Sequence, residues 1–364
     1  MGDFQNALFA AAALMATAVL WSLRLPTDAG ATAAPARGWR SLKFHNLGLS
    51  SSFILECRVE RRGIGMTNSL DREAVAEPHN LLGIDGIEFI EFATSKPQAL
   101  GGVLERMGFR PIARHRSREV ELYRQGKMNI IVNAQAADVP RTVQPTERPI
   151  ISAFAVRVRD ADAAFRRALE LGAWEIPVRA RAMELNIPAI HGVGESLIYF
   201  VDRHDEFSIY DIDFRAIPTV DPHPPALGGL HFFGLVQYID ADRTADWVEF
   251  YSQVFGFAPL PDSKRFGILP KGLLLESPCR TFYLQLIEPD DVARFAPAEE
   301  HLQRIGFGTP DVLGTVEILQ KRGVEFLVSE KVHASERGAL TTASLGSVMF
   351  ELVHDVPAGA AVRR

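Results

Sequence analysis

The chain has 364 residues, of which 47% are hydrophobic and 23% charged, which is typical of a soluble protein with enough apolar side chains for two packed domains. Its formal net charge of −6 argues against nucleic acid or an anionic membrane surface as a partner. The two cysteines, Cys57 and Cys279, exclude a disulfide framework and a cysteine-based zinc site, so a reducing, cytoplasmic setting is expected.

The first 65 residues differ from the rest of the chain. Residues 6–23 form an uncharged, alanine-rich apolar run, which could be a signal peptide or a membrane anchor, although no Lys or Arg precedes it. In that case the protein would be exported or anchored. The alternative is a non-native extension, with translation starting at Met66, because residues 59–65 read VERRGIG and the codons for Glu, Arg and Gly are rich in purines, as a ribosome-binding site is. We favour the second alternative, and the first stays open.

A single pattern occurs four times after residue 80. Each copy opens with an apolar strand, continues into an amphipathic helix and passes through a glycine into further strands. The predicted helices are residues 97–107, 161–171, 244–255 and 313–322, and the glycines that follow them are Gly108, Gly172, Gly256 and Gly323. Glycine is expected there because a left-handed cap residue has no steric penalty without a side chain.

The spacing of the copies indicates a duplicated domain. Copies one and three are about 150 residues apart, as are two and four, and a stretch rich in proline and glycine at 219–229 separates the pairs. We therefore expect an α+β fold of four βαβββ units. The first domain is predicted at 82–217 and the second at 228–357.

Several strings carry a resemblance to a known family. They are GIEFIEFAT, HRSREVELYRQGKMNIIVNA and IPAIHGVGESLIYFVD in the first domain and GSVMFELVHD in the second. With them the chain resembles the 4-hydroxyphenylpyruvate dioxygenase family of the vicinal oxygen chelate superfamily, including the dioxygenase-like half of bacterial 3-dehydroshikimate dehydratase fusions. The resemblance implies two tandem vicinal oxygen chelate domains, each a cup-shaped sheet, with no metal in the first.

The resemblance also implies where a metal would bind. The family holds Fe(II) with two histidines and a glutamate, which leaves open positions for substrate and oxygen. The glutamate position falls on Glu351. Counting back from Trp247 places the first histidine position on Gly234, and counting back from Asp311 places the second on Arg304. The triad therefore reads Gly, Arg, Glu.

Two histidines lie near these positions. His231 and His301 each stand three residues before the expected ligand, and an odd shift along a strand turns a side chain to the other face. A β-bulge in each strand would restore the inward direction. His231, His301 and Glu351 are then candidate ligands for Fe(II) or another divalent metal. The alternative is that both histidines lie at strand ends without a ligand role.

Arg304 has two interpretations of its own. Facing inward, it would pair with Glu351, and its guanidinium would replace the charge of the metal and could bind a carboxylate. At a strand end, it would be exposed to solvent. Glu351 and Arg304 are therefore the candidate catalytic residues.

Two functions from different classes are consistent with these residues. The first is a dioxygenase-like oxidoreductase with iron, acting on an aromatic or 2-oxo acid in aromatic amino acid catabolism. The second is a non-catalytic module that binds a small carboxylate, or assists a partner enzyme, with a degenerate metal site. Glu351 favours the first, whereas Gly234 and Arg304 favour the second. The family also covers its site with a helix after the last strand, which is not expected before Arg364, and relatives suggest a homo-oligomer.

Overall fold

The structure is a computed structural model. It describes residues 80–135, 144–177, 184–204, 207–261, 263–264, 266–268, 272–289, 299–329 and 332–356. All of these belong to one compact unit, Thr67–Arg364. The hypotheses about residues 1–65 and about the region after the last strand concern residues outside these ranges, and the two domain boundaries stay predictions. None of the helices in the described ranges is long and apolar enough to span a membrane.

The described residues form fifteen strands and five α-helices. The strands are β1 (Ile87–Ala93), β2 (Arg110–His115), β3 (Val120–Gln125), β4 (Met128–Asn133), β5 (Ile150–Arg157), β6 (Ala189–His191), β7 (Leu197–Val201), β8 (Phe214–Ala216), β9 (His231–Tyr238), β10 (Ala258–Pro259), β11 (Leu273–Glu276), β12 (Tyr283–Ile287), β13 (His301–Thr309), β14 (Gly338–Leu340) and β15 (Phe350–His354). The helices are α1 (Pro97–Arg106), α2 (Ala161–Glu170), α3 (Ile209–Asp213), α4 (Thr244–Phe250) and α5 (Val312–Lys321).

Local sequence explains where the long helices begin and end. The Asp160 and Asp311 carboxylates accept from the backbone N–H groups three residues later, at 2.8 and 2.9 Å, which caps α2 and α5. The four glycines predicted after the helices all have positive φ, between 78° and 102°. The third predicted helix differs from the expectation, because α4 is followed by a π-helical turn, Tyr251–Phe255. The Tyr251 hydroxyl donates to the buried Gln237 of β9 at 2.9 Å.

The repeated units are joined edge to edge in one mixed sheet. Its main path runs β10-β11-β12-β9-β13-β5-β1-β4-β3-β2-β8, with β7 beside β5 and β15 beside β13. Antiparallel contact between β13 and β5 at Leu302 and Ile151 joins the two halves. In the second and fourth units the strand after the helix is reduced to an isolated bridge, formed by Glu175 in one unit and Phe326 in the other. The predicted α+β fold with two tandem modules is confirmed.

The sheet has helices on one side and cups on the other. The long helices pack on the convex side in the main apolar core, which includes Leu100, Phe154, Leu235 and Phe350. The concave side of the first half has its own cluster around Phe89, with Leu122, Ile131 and Phe214. Because strand side chains alternate, every second residue of the central strands is left to form the concave surface.

Pairing among β9, β13 and β15 sets the geometry of the second cup. β13 lies between the other two, antiparallel to β9 and parallel to β15. Gly306 of β13 is opposite Gly234 on one side and opposite Glu351 on the other. The β9–β13 register shifts twice, once between Leu302 and Arg304. The three positions that the resemblance assigns to the metal ligands, Gly234, Arg304 and Glu351, therefore lie on one part of the sheet.

A substitution at Gly194 tests how closely the backbone packs at the start of β13. It has a φ of +61°, and a Cβ there would lie 1.7 Å from the Glu300 carbonyl oxygen. We expect Gly194→Ala to lower the free energy of unfolding by more than Gly172→Ala, where φ is +88° and a Cβ would meet nothing within 4 Å. The backbone term costs about 1–2 kcal/mol in both, and overpacking adds about 1–3 kcal/mol in the first alone. Urea unfolding followed by circular dichroism measures both, and equal losses would contradict the contact.

Candidate functional site

Glu351 is the residue from which the site is built. It lies on β15 between Phe350 and Leu352, both of which pack into the core on the convex side, so its carboxylate faces the concave side. The residue is only 5% exposed. Burial raises the pKa of Glu351 above its usual value, and the Arg304 guanidinium and the backbone N–H of Ile268 partly offset that rise. The carboxylate is thus held in a place that disfavours its charge.

Arg304 is also buried and faces Glu351, which decides between its two interpretations. Its Nε donates to Glu351 Oε2 at 3.1 Å, and the residue is 3% exposed. Its Nη2 is buried and has no hydrogen-bond partner among the described residues. A buried N–H group without an acceptor costs free energy, which a ligand or a water oxygen would recover.

Gly234 lies opposite Gly306 in a place with no room for a histidine. A Cβ at Gly234 would lie 2.1 Å from the Tyr283 carbonyl oxygen, which belongs to the backbone of the neighbouring strand β12. Beside it, the Phe233 ring packs on Phe266 and Tyr283, with ring centroids 5.1 and 4.8 Å apart. Aromatic rings therefore occupy the region where the family's first ligand would be attached.

A short segment covers Glu351 from the concave side. Gly267 has a φ of +65°, and a Cβ there would lie 2.3 Å from Glu351 Oε1. The next residue, Ile268, supplies the backbone N–H that the carboxylate accepts. Sequence reasoning did not identify this segment. A glycine in RFGIL is its only local signal, and a single glycine is too common to indicate a close approach.

The two candidate histidines lie away from Glu351 and from each other. His231 Nε2 is 2.9 Å from Asp355 Oδ2, and His301 Nε2 is 2.6 Å from Gln303 Oε1. His231 pairs with Gly308 in the antiparallel ladder. His301 is therefore seven positions away along β13, or about 23 Å at ~3.3 Å per residue.

The structure does not bring the predicted ligand set His231, His301 and Glu351 together. Register shifts are observed between β9 and β13, but the two histidines still lie at opposite ends of the strand pair. Within the described ranges, no group of three or more His, Cys, Asp or Glu side chains is close enough to hold a metal ion. The pair that the structure does bring together is Arg304 with Glu351.

A large cavity of about 1230 Å³ adjoins this pair. Its polar lining is formed by Thr146, Arg148, Glu288, Glu299, His301, Gln303, Arg304 and Ser347. Its apolar lining includes Phe92, Ile150, Ile151, Tyr238, Ile239, Ile268, Ile287, Leu302, Val332 and Met349. The cavity is thus mostly apolar, and its charged lining residues are two arginines and two glutamates.

Fold and site together define a protein of two tandem glyoxalase-type modules with a buried Arg304–Glu351 pair in the second. Residues 79–215 match the family described as hydroxyphenylpyruvate dioxygenase, N-terminal, and residues 234–343 match the glyoxalase/bleomycin resistance protein/dioxygenase superfamily. A 4-hydroxyphenylpyruvate dioxygenase of Pseudomonas sp. (strain P.J. 874) is 34% identical over 269 residues, which cover 69% of this chain and 73% of that protein. The chain belongs to the 4-hydroxyphenylpyruvate dioxygenase family.

Other similarities are to a dehydratase and to a solved fusion protein. A 3-dehydroshikimate dehydratase of Pseudomonas putida is 32% identical over 248 residues, covering 66% of this chain and 38% of that protein. A solved structure described as a xylose isomerase-like TIM barrel/4-hydroxyphenylpyruvate dioxygenase fusion protein has a TM-score of 0.57 and 25% identity. The match covers 77% of this chain and 51% of that structure. The chain thus spans about half or less of the length of these two proteins.

The residues that the family resemblance assigns to the Fe(II) ligand positions do not fit that metal. One histidine position is a glycine against a backbone carbonyl, and the other is Arg304, whose positive charge opposes a cation. The remaining ligand, Glu351, already accepts from Arg304 and from Ile268. A guanidinium is always protonated in proteins and cannot serve as a ligand. The residues at this place therefore form an ion pair and do not make a set of metal ligands.

Breaking this pair should reveal its contribution to stability. We expect Arg304→Met to lower the free energy of unfolding by about 3–5 kcal/mol, because it leaves a buried carboxylate without its cation. The double variant Arg304→Met/Glu351→Gln removes both charges and should lose much less. Urea unfolding at pH 7 compares the two, and an equal loss would show that packing, not charge, is responsible.

The pH dependence of Arg304→Met gives a second test of the pair. Without Arg304, the pKa of Glu351 rises further, so the folded state holds its proton more tightly than the unfolded state does. Stability is then greatest below the ordinary carboxyl pKa of 4.5 and falls as the pH rises towards the raised pKa of the folded state. We expect the loss measured at pH 7 to shrink between pH 7 and 5. A loss that does not depend on pH would contradict the assignment.

Proposed function

We propose that the second module binds a small carboxylic acid of the 2-oxo acid type on Arg304, without a metal at the family's position. The buried Arg304–Glu351 pair at that position is the observation that supports this most strongly. The name of the dioxygenase relative specifies 4-hydroxyphenylpyruvate, which is a 2-oxo acid. This chain binds the same class of ligand, but through a guanidinium in place of a metal ion.

The charge of the site supports this replacement. A divalent metal with one carboxylate ligand carries a net charge of +1. Arg304 with an ionised Glu351 carries zero, and with a protonated Glu351 it carries +1 again. Burial raises the pKa of Glu351, which makes proton uptake easier than at an ordinary carboxyl. A carboxylate ligand therefore binds best when Glu351 takes up a proton.

The geometry around Arg304 supplies a donor and a place for the organic part of the ligand. The buried Nη2 has no acceptor among the described residues, and a carboxylate is the acceptor that a guanidinium fork matches. Arg304 lines the cavity together with Ile268 and Met349, and with Ile239 and Ile287 further along its wall. An apolar or aromatic body attached to the carboxylate would contact these side chains.

The alternative function is a metal-dependent oxidoreductase acting on an aromatic or 2-oxo acid. Membership of the dioxygenase family and the presence of Glu351 support it. The metal content of the whole chain and of its Glu351→Ala variant, both purified anaerobically, distinguishes the two functions. We expect less than a tenth of an equivalent of Fe, Mn, Co or Zn in both proteins. Stoichiometric metal that is lost in Glu351→Ala would establish the oxidoreductase alternative and overturn the proposal.

Proton-linked binding gives the sharper prediction. Titration calorimetry with phenylpyruvate, in buffer containing EDTA, should show an affinity that falls about tenfold per pH unit above the pKa of Glu351 and is constant below it. Glu351→Gln should bind more tightly than the wild type at pH 8 and lose the pH dependence, because it imitates the protonated carboxyl. The Arg304→Met/Glu351→Gln control should bind at least tenfold more weakly than Glu351→Gln. Weaker binding by Glu351→Gln would reject the mechanism.

A further inference from the structure

The carboxylate of Glu91 lies on the concave side of the first module and takes no part in the site around Arg304. Glu91 follows Phe89 by two residues on β1, and Phe89 belongs to the concave cluster, so both side chains face the cup. The residue is half-buried, and it does not line the cavity beside Arg304. A role for Glu91 is therefore independent of carboxylate binding in the second module.

A β-bulge in β5 directs a hydroxyl to one oxygen of this carboxylate. Phe92 pairs with Ile151 and Glu91 pairs with Ala153, so Ser152 is the extra residue of β5. The Ser152 hydroxyl donates to Glu91 Oε1 at 2.9 Å. Bulges in strands re-aim side chains, and they are frequent beside functional sites. The bulge therefore provides the first of two donors that position Glu91.

Asn133 of β4 provides the second donor to the same oxygen. Its Nδ2 donates to Glu91 Oε1 at 3.2 Å, and its Oδ1 accepts from the Gln135 backbone N–H at 2.9 Å, which fixes the orientation of the amide. Glu91 Oε2 accepts from none of the described residues, and it is not among the fully buried polar atoms that lack a partner. The protein thus positions one oxygen of the carboxylate and leaves the other accessible to a ligand.

Glu91 differs from Glu88 and Glu351, each of which is paired with an arginine in its cup. Within the part of the chain that the structure describes, Glu91 forms no ion pair. Burial raises the pKa of Glu91, and its two hydrogen bonds and the Arg118 guanidinium offset that rise only in part. Arg118 Nε already donates to both carboxylate oxygens of Glu184, at 3.1 and 3.2 Å. Because the Arg118–Glu184 pair is neutral as a whole, an ionised Glu91 leaves one negative charge uncompensated here.

Tyr199 adds a hydroxyl and an aromatic ring near this charge. On β7 it lies opposite Ala155, which on its other side lies opposite Phe89 of β1, and the Tyr199 and Phe89 ring centroids are 5.6 Å apart. Burial first, and then the Glu91 carboxylate, raise the pKa of Tyr199, so the phenol is neutral at pH 7. Its hydroxyl forms no hydrogen bond with the described residues, and its oxygen can accept one from a ligand.

We propose that the concave side of the first module binds a small primary amine through Glu91 and Tyr199. The ammonium group donates to Glu91 Oε2 and to the Tyr199 hydroxyl, and it supplies the cation that this carboxylate lacks. The face of the Tyr199 ring also attracts a cation. The apolar body of the amine contacts Leu185 and Ile187, which are partly exposed side chains of the concave cluster. Sequence reasoning did not select Glu91, because its two donors come from residues 42 and 61 positions later in the chain.

Benzylamine and benzyl alcohol are matched probes, because at pH 7 they differ in the positive charge of the amine. Titration calorimetry on the full chain in phosphate buffer should show one equivalent of benzylamine, bound at least tenfold more tightly than benzyl alcohol. Glu91→Gln should weaken benzylamine binding about tenfold to a hundredfold, as for a lost hydrogen bond to a charged group. Glu121→Gln is the matched control. It removes an equal charge from the convex side, where Glu121 pairs with Arg114, and should leave the affinity unchanged.

Four results would overturn the site. They are no benzylamine binding, equal affinity for benzyl alcohol, unchanged affinity in Glu91→Gln, and an equal loss in Glu121→Gln. The side-chain oxygen of Glu91→Gln can still accept from Ser152 and Asn133, so this variant should fold. If circular dichroism shows that it is unfolded, crystals of the wild-type chain soaked in benzylamine decide instead. An amine nitrogen within hydrogen-bond distance of Glu91 Oε2 supports the proposal, and its absence there rejects it. Loss of phenylpyruvate binding at Arg304 would leave all of these outcomes unchanged.

Discussion

Two opposite charges removed from water govern the second module. Arg304 and Glu351 are each at most 5% exposed, and taking two ions out of water costs several kcal/mol per ion. Their attraction and the Ile268 N–H recover part of that cost, but the pKa of Glu351 stays raised, which shows that desolvation outweighs the recovery. The site therefore holds a carboxylate that takes up a proton easily, next to a guanidinium with an unused N–H. The excess of the desolvation cost over the energy recovered therefore determines which ligands the site can bind.

Strand geometry explains why nearby histidines do not replace the missing ligands. A metal needs side chains that start from neighbouring positions on adjacent strands, and Gly234, Arg304 and Glu351 do so around Gly306. The two strands of an antiparallel pair run in opposite directions. A residue three positions earlier in one strand is therefore displaced towards one end of the pair, and a residue three positions earlier in the other strand is displaced towards the other end. The same offset that makes His231 and His301 look alike in the sequence therefore places them at opposite ends of the strand pair. A bulge turns a side chain but does not move it along the strand by several residues.

The sequence predicted the architecture better than the site. Apolar periodicity and the capping residues depend on local interactions, so the helices that follow Asp160 and Asp311 could be located within a residue. The π-helical turn after α4 could not, because it depends on packing in the core. The positions of Glu351 and Arg304 both followed from family resemblance, but the pairing of their side chains was left as one of two interpretations. Whether Arg304 faced inward depended on a register shift next to it, and register is set by long-range pairing.

The core and the candidate site lie on opposite faces of the sheet. The helices bury their apolar faces on the convex side, where Phe350 and Leu352 of β15 also pack, so the core does not depend on the residue between them. Each cup then needs only to compensate the charge of its own buried carboxylate. The first pairs Glu88 with Arg157, and the second pairs Glu351 with Arg304. A buried carboxylate in a cup requires a cation. In both cups a guanidinium from the neighbouring strand supplies that cation from within the chain. A metal site would have to bind an ion from solution instead.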